Sequence, residues 1–107
     1  MILMKFGGTS VANSEAIQRA ISIIGSKLDE RPIVVVSAMS KVTDMLYRIA
    51  DMAAAQDETQ TSLLLEQLRE RHITVASELL ANSGHMLNEA ISEINNICDY
   101  LEKVVTS

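Results

Sequence analysis

Residues 1–12 read Met-Ile-Leu-Met-Lys-Phe-Gly-Gly-Thr-Ser-Val-Ala, and residues 32–37 read Pro-Ile-Val-Val-Val-Ser. The first segment predicts a short strand over about 2–6, which the paired glycines end. The second segment predicts a strand over about 32–37, with its proline at the first position, where a missing N–H is tolerated. Because its β-branched residues are consecutive, this second strand is expected to be buried on both faces.

A helix is predicted between the two strands. Asn13 or Ser14 is placed to cap its first turn, and Glu15 complements the helix dipole. The apolar residues that follow recur at helical spacing, at Ile17, Ala20, Ile21, Ile24 and Leu28. Strand, helix and strand in this order predict a βαβ unit over 1–40, with two parallel strands and a right-handed crossover.

Residues 41–107 are predicted to be helical. Helices are expected near 43–56 and 59–81, and a third is expected to run to about 105 after a break at Ser83-Gly84. The last two helices indicate an antiparallel hairpin. Heptad spacing in the last helix predicts a seam made of Leu87, Ile94 and Leu101 alternating with Ala90, Ile97 and Val104. The fold class is therefore α/β. Since two parallel strands rarely stand alone, the chain is expected to open a larger α/β domain or to complete its sheet by oligomerising.

Composition and charge exclude several classes of function. The 107 residues include 9 basic and 14 acidic side chains, for a net charge of −5. The chain therefore lacks the excess of positive charge that binding to nucleic acid or to an anionic membrane surface needs. A single cysteine, Cys98, cannot form an internal disulfide, and one cysteine with two histidines gives no zinc pattern. A reducing, cytoplasmic location is expected.

The strongest local signal for chemistry is the segment 5–10, Lys5-Phe6-Gly7-Gly8-Thr9-Ser10, at the carboxyl end of the first strand. Ligands of open α/β sheets bind at this end of the strands. Glycines allow the backbone to approach phosphate oxygens, and a lysine supplies a mobile positive charge. The alternative is a tight strand-to-helix turn beside a surface lysine.

A second signal, residues 37–44, follows the second strand. Because parallel strands end at the same edge of a sheet, this loop is expected to face the Lys5 loop across one crevice. Ser37 and Thr43 carry hydroxyls that suit a small polar substrate. The alternative is that Ser40 and Thr43 only cap the next helix.

Together the two segments resemble a known family. Lys-Phe-Gly-Gly-Thr-Ser-Val-Ala after a short first strand is similar to the opening signature of aspartate kinases, in the amino-acid kinase superfamily, and residues 34–46 resemble that family's second motif. The resemblance implies a three-layer α/β fold and ATP-dependent phosphorylation of the side-chain carboxylate of L-aspartate, the entry to lysine, threonine and methionine synthesis.

The resemblance also implies roles for individual residues. Lys5 would be catalytic and would stabilise the transferring phosphoryl group. Phe6, Gly7, Gly8, Thr9 and Ser10 would line the ATP phosphate path, and Ser37 and Thr43 would bind aspartate. ATP would come with Mg²⁺, whose ligands lie outside this chain, and the full-length protein is expected to be a homo-oligomer.

The kinase domain of the family is more than twice as long as this chain. Residues 1–107 are therefore expected to be its N-terminal part, without the rest of that domain or the ACT-type regulatory domains, and to be inactive alone. Two alternatives stay open: another amino-acid or carbamate kinase of the superfamily, and a non-catalytic helical interaction module built on the seam of the last helix. His72, His85 and Cys98 are expected to be structural or surface residues rather than catalytic ones.

Overall fold

The computed structural model describes residues 1–107 as two compact units, Met1–Thr43 and Asp44–Ser107. The first unit holds strands β1 (Ile2–Phe6) and β2 (Pro32–Val36) on either side of helix α1 (Ser14–Gly25). Helix α2 (Val42–Ala54) begins at the boundary, and α3 (Glu58–Leu79) and α4 (Gly84–Thr106) complete the second unit. The fold is α/β, as the sequence predicts. No helix combines the length and the apolar composition needed to cross a bilayer.

The two strands of the first unit form a parallel sheet. Ile2 pairs with Pro32, and the register continues to Phe6 opposite Val36. The predicted βαβ unit is confirmed, with strand bounds within one residue of those expected. Asn13, one of the two predicted caps, accepts a hydrogen bond from the Ala16 N–H through its Oδ1 at 2.9 Å and so begins α1.

Helix α1 covers one face of β1. Phe6, Val11 and Ala20 are buried in a cluster against which Met4, Ile17 and Ile24 pack. The apolar positions predicted for this helix run to Leu28, about one turn beyond its observed end. Helix α1 stops at Gly25, and Leu28 lies in a separate 3-10 turn, where it is exposed. Arg31 then adopts a left-handed conformation, with φ of 51°, and turns the chain into β2.

Strand β2 differs from its predicted environment. Its four apolar residues, Ile33–Val36, are between 39% and 60% exposed, although the run of β-branched residues is typical of a strand buried on both faces. Successive side chains of a strand point to opposite faces, so the exposure of all four residues means that neither face of β2 is covered. The sheet has only two strands, in the order β1-β2, and the outer edge of β2 also has no neighbouring strand.

The second unit contains the predicted helical hairpin of α3 and α4. Asp57 caps α3 by accepting a hydrogen bond from the Gln60 N–H at 3.1 Å. Ser83, which the sequence places at the end of α3, instead caps α4, accepting from the Met86 N–H at 3.4 Å. The two helices are tied together by Arg69, whose guanidinium donates to Asn95 Oδ1 and to Asp99 Oδ1, each at 2.7 Å.

The seam of α4 is rotated from the one predicted. Leu87, Ile94 and Leu101 are partly buried as expected, but Ile97 of the second predicted row is 63% exposed, whereas the next residue, Cys98, is only 7% exposed. The row that completes the seam is Ile91, Cys98 and Val105. Both rows satisfy heptad spacing, so the spacing alone does not distinguish them. The predicted row of Ala90, Ile97 and Val104 is left at the margin of the packed face.

Candidate active site

The loop after β1 is held by the buried ring of Phe6. That side chain lies in the core cluster of the first unit, so it anchors the loop. Gly7 continues the extended backbone, with φ of −77° and ψ of 177°, and residues Gly8–Val11 then form a 3-10 turn. The Ser10 N–H donates to the Gly7 carbonyl at 3.0 Å and closes that turn.

The loop after β2 is joined to the first loop by backbone hydrogen bonds. The Ser37 N–H donates to the Phe6 carbonyl at 3.0 Å, and the Ser40 N–H donates to the Gly8 carbonyl at 3.1 Å. The two segments that the sequence assigns to one crevice therefore meet at the carboxyl edge of the sheet.

This contact leaves little space for a side chain at position 8. A Cβ on Gly8 would lie 3.2 Å from the Ala38 carbonyl oxygen and 3.4 Å from the Ser40 Cα, both backbone atoms of the second loop. A Cβ on Gly7 would meet nothing within 4 Å. Of the paired glycines, Gly8 is the one whose missing side chain lets the two loops approach each other.

Lys5 is exposed and carries an unpaired positive charge. On β1 its neighbours Met4 and Phe6 pack toward α1, so the alternation of a strand directs Lys5 to the opposite face of the sheet. Its partner in the register is Val35. Since no carboxylate forms an ion pair with Lys5, its ammonium group is available to an anionic ligand.

The hydroxyls of Thr9 and Ser10 are exposed at the start of the 3-10 turn. They line a groove of about 270 Å³ together with Arg19 of α1 and the apolar side chains of Phe6, Ala16, Ala20 and Ile23. Sequence reasoning did not single out Arg19. The only sequence feature that could have indicated a role for Arg19 is its position in the second turn of the helix after the glycine loop. A charged residue at such a position more often lies on a solvent-exposed helix face.

The second loop presents two hydroxyls of different kinds. Ser37 is exposed, and its Oγ donates to the Ala38 carbonyl at 3.0 Å. Thr43 lies inside the first turn of α2, is exposed, and its hydroxyl makes no hydrogen bond within the chain. Neither Ser40 nor Thr43 caps α2 through its side chain. The turn before that helix is closed by the Val42 N–H donating to the Met39 carbonyl at 3.1 Å, with Lys41 in a left-handed conformation at φ 70°.

The residues expected to be structural or on the surface lie as predicted. The Nδ1–H of His72 donates to the Leu68 carbonyl at 2.8 Å, and His85 is exposed beside Glu89 at 3.2 Å. Cys98 is buried, and burial raises the pKa of its thiol, which suits a core residue rather than a nucleophile. No three His, Cys, Asp or Glu side chains converge as a set of metal ligands.

Comparison with known proteins identifies the family of the chain. The sequence pattern of the amino acid kinase family matches residues 1–97. The chain is similar to the chloroplastic bifunctional aspartokinase/homoserine dehydrogenase 1 of Zea mays, with 38% identity over 87% of this chain and 10% of that protein. It is similar to the corresponding protein 1 of Arabidopsis thaliana, with 39% identity over 94% of this chain and 11% of that protein.

An aspartokinase of Chlamydia trachomatis is 40% identical over 73% of this chain and 17% of that protein. The chain thus spans about a tenth of the length of the plant relatives it matches and somewhat more of the bacterial one. Since the family pattern extends over both loops of the candidate site and most of the helical unit, the chain belongs to the amino acid kinase family.

Proposed function

We propose that this chain supplies the phosphate-binding and aspartate-binding loops of an ATP-dependent aspartate kinase. The observation that carries the proposal is the backbone contact between the two loops at Gly8 and Ala38–Ser40, beside a lysine with no internal partner. Every residue assigned to the site lies in the first compact unit, Met1–Thr43.

The reaction transfers the terminal phosphoryl group of ATP to an oxygen of the aspartate side-chain carboxylate. A new P–O bond forms on that oxygen, the bond to the bridging oxygen of ADP breaks, and the products are 4-phospho-L-aspartate and ADP. Lys5 neutralises charge on the oxygens of the transferring group, and a positioned cation of this kind is the main catalytic aid in phosphoryl transfer.

The loop residues hold the two substrates. The backbone of Gly7 and Gly8 and the hydroxyls of Thr9 and Ser10 line the phosphate path, while Phe6 fixes that path through its buried ring. ATP would supply the phosphoryl group, and Mg²⁺, held by ligands that this proposal places outside the chain, would neutralise charge on its phosphates. Ser37 and the unpartnered hydroxyl of Thr43 bind aspartate.

The chain acts, in this proposal, as the N-terminal part of the catalytic domain of a longer protein. The uncovered apolar strand β2 supports this, because the edge of a two-stranded parallel sheet is where further strands of a larger sheet would join. The product, an acyl phosphate in the reducing cytoplasm, would enter lysine, threonine and methionine synthesis. The 107 residues alone are then expected to have no kinase activity.

The test is a chimaera in which residues 1–97, the range that matches the family pattern, replace the corresponding segment of the Chlamydia trachomatis aspartokinase. The assay is run at saturating ATP and aspartate. Hydroxylamine traps aspartyl phosphate as the hydroxamate, which is measured colorimetrically. We expect activity in the chimaera, a loss of at least about 100-fold in its Lys5→Ala variant, and none in the isolated chain.

The matched control is Lys41→Ala, which removes an exposed lysine from the second loop. It should keep most of the activity. A chimaera that folds but phosphorylates another carboxylate in place of aspartate would favour a sister kinase of the family. Full activity in the Lys5→Ala variant would show that Lys5 is not catalytic.

A further inference from the structure

Arg19 of α1 shares a groove with the glycine loop. The groove has a volume of about 270 Å³, and Thr9 and Ser10 line it on the loop side. The other residues that line it are apolar, so Arg19 is its one charged member. Arg19 is exposed, and neither Glu15, four residues earlier on the helix, nor any other carboxylate forms an ion pair with it. The groove therefore combines two hydroxyls with a positive charge that is not neutralised within the chain.

The backbone of Arg19 is held in place relative to the glycine loop. Ala16 and Ala20 lie one turn apart on α1, are buried, and line the same groove. Ala20 also belongs to the core cluster with Phe6, the residue that anchors the loop. Because Arg19 lies between these two alanines in a continuous helix, its distance from the loop is set by the packed core. A group held in this way binds a ligand at a lower cost in entropy than a group on a mobile segment.

We propose that Arg19 binds the phosphates of ATP that are not transferred, an inference that rests on the proposed function. That function assigns the hydroxyls of Thr9 and Ser10 to the phosphate path, and the groove places Arg19 beside them. A guanidinium presents its N–H donors in a planar fork, which can bind two phosphate oxygens at once. Arg19 thus supplies a second cation to a substrate that carries several negative charges.

Lys5 and Arg19 are expected to act on different phosphates. The alternation of β1 directs Lys5 to the face of the sheet opposite α1, whereas Arg19 belongs to α1 itself. The two cations approach the glycine loop from opposite sides and are not placed to hold the same oxygen. A cation on the transferring group acts in the transition state and changes kcat. A cation on the remaining phosphates binds the ground state and the transition state alike, so it changes the KM for ATP.

Steady-state kinetics of the chimaera test this division. Arg19→Gln removes the charge and should raise the KM for ATP by about tenfold or more, because charge-assisted hydrogen bonds to phosphate are lost. The kcat and the KM for aspartate should each stay within about threefold of the unaltered chimaera. Arg19→Lys restores the charge without the planar fork and should recover part of the lost affinity for ATP.

The matched control is Arg31→Gln. Arg31 is an exposed arginine of the same compact unit, but it directly precedes β2 and so lies at the amino edge of the sheet, away from both loops. This variant should leave all three kinetic constants unchanged. An Arg19→Gln chimaera with an unchanged KM for ATP, or with an equal rise in the KM for aspartate, would overturn the inference, because neither result is specific to the phosphates.

Binding to the 107-residue chain gives a readout that does not depend on activity. Inorganic tripolyphosphate is the probe, and an NMR titration of the ¹⁵N-labelled chain follows the amide signals of residues 7–10. Arg19→Gln should weaken the binding by about tenfold or more, and Arg31→Gln should keep the original affinity. Absence of binding to the unaltered chain, or equal binding to the Arg19→Gln variant, would refute a role for Arg19 in holding phosphate.

The inference and the proposed function can fail separately. A chimaera might phosphorylate only another carboxylate while Arg19→Gln still raises its KM for ATP. That result would contradict the proposed function and support the role of Arg19. Activity on aspartate with a KM for ATP that Arg19→Gln does not change would support the function and refute the role of Arg19.

Discussion

Gly7 and Gly8 are neighbours in the chain, but only Gly8 faces the backbone of another loop. The atoms opposite it belong to the backbone of Ala38 and Ser40, which cannot rotate aside as a flexible side chain would. Neither glycine has a positive φ, so the difference between them is one of space and not of backbone strain. Single positions in the candidate site therefore have separable roles: Gly8 joins the loops, Phe6 anchors them, and Lys5 is left free for a ligand.

Replacing Gly8 with alanine is expected to force the two loops apart. The added Cβ would approach the Ala38 carbonyl oxygen at 3.2 Å, and relieving such a contact costs about 1–3 kcal/mol of unfolding free energy. Urea denaturation followed by circular dichroism measures the loss of stability. Hydroxamate formation in the chimaera measures the expected loss of activity.

Gly7→Ala is the matched control for this prediction. Open space surrounds its Cβ, and its extended backbone suits any residue, so its stability should change by less than about 0.5 kcal/mol. Equal losses in the two variants would mean that the loop contact is not what requires a glycine.

At the scale of elements, local signals determine where the helices begin. Asn13 is the cap of α1, and the bond from its Oδ1 to the Ala16 N–H satisfies one of the free donors of the first turn. Because α1 links the two strands and covers β1, its first turn also sets where the glycine loop ends. Loss of this cap should therefore also destabilise the loop that carries the candidate site.

Asn13→Ala should lower the free energy of unfolding by about 1 kcal/mol, because it removes the cap hydrogen bond. Thermal or urea denaturation checks the size of the change. Asn13→Asp keeps an acceptor and adds a favourable charge at the helix N-terminus, so it should keep nearly all the stability. A loss as large in the aspartate variant would show that the hydrogen bond is not the source of the effect.

The sequence predicts the elements of this chain better than their surroundings. Turn and cap residues mark the bounds of β1, β2 and the four helices to within a few residues, because those signals are local. The burial of β2 and the choice between Ile97 and Cys98 as seam residues depend on what packs from elsewhere, and spacing carries no information about that. The pairing of the two loops was predictable because parallel strands end at one edge. The different surroundings of Gly7 and Gly8, and the position of Arg19 beside Thr9 and Ser10, are visible only in the three-dimensional structure.

At the scale of the whole molecule, the feature with the widest effect is the uncovered strand β2. Its residues Ile33–Val36 combine β-branched side chains with an edge that has no neighbouring strand. An exposed edge of this kind is a template for pairing with other chains and a hazard for aggregation. If the chain is part of a longer catalytic domain, as we propose, the same strand would be interior there.

Val35→Lys is therefore expected to have opposite effects in two settings. In the isolated chain it should slow aggregation, measured by light scattering during incubation at high concentration, because charge on an edge strand discourages pairing. In the chimaera it should destabilise the kinase by several kcal/mol, because it buries an unpaired charge. Leu28→Lys, at an exposed position outside the sheet, should do neither. A chimaera that tolerates Val35→Lys would mean that β2 stays at the surface there.

The hydrogen bond between Gly8 and Ser40 also bears on how the protein is made. It closes a segment of roughly 30 residues, for which the loop-closure entropy costs only about 3 kcal/mol. All its partners lie before Asp44, and chains tend to fold from the N-terminal end as they leave the ribosome. The two loops of the candidate site can thus meet while the helical hairpin, which follows them in the chain, is still being translated.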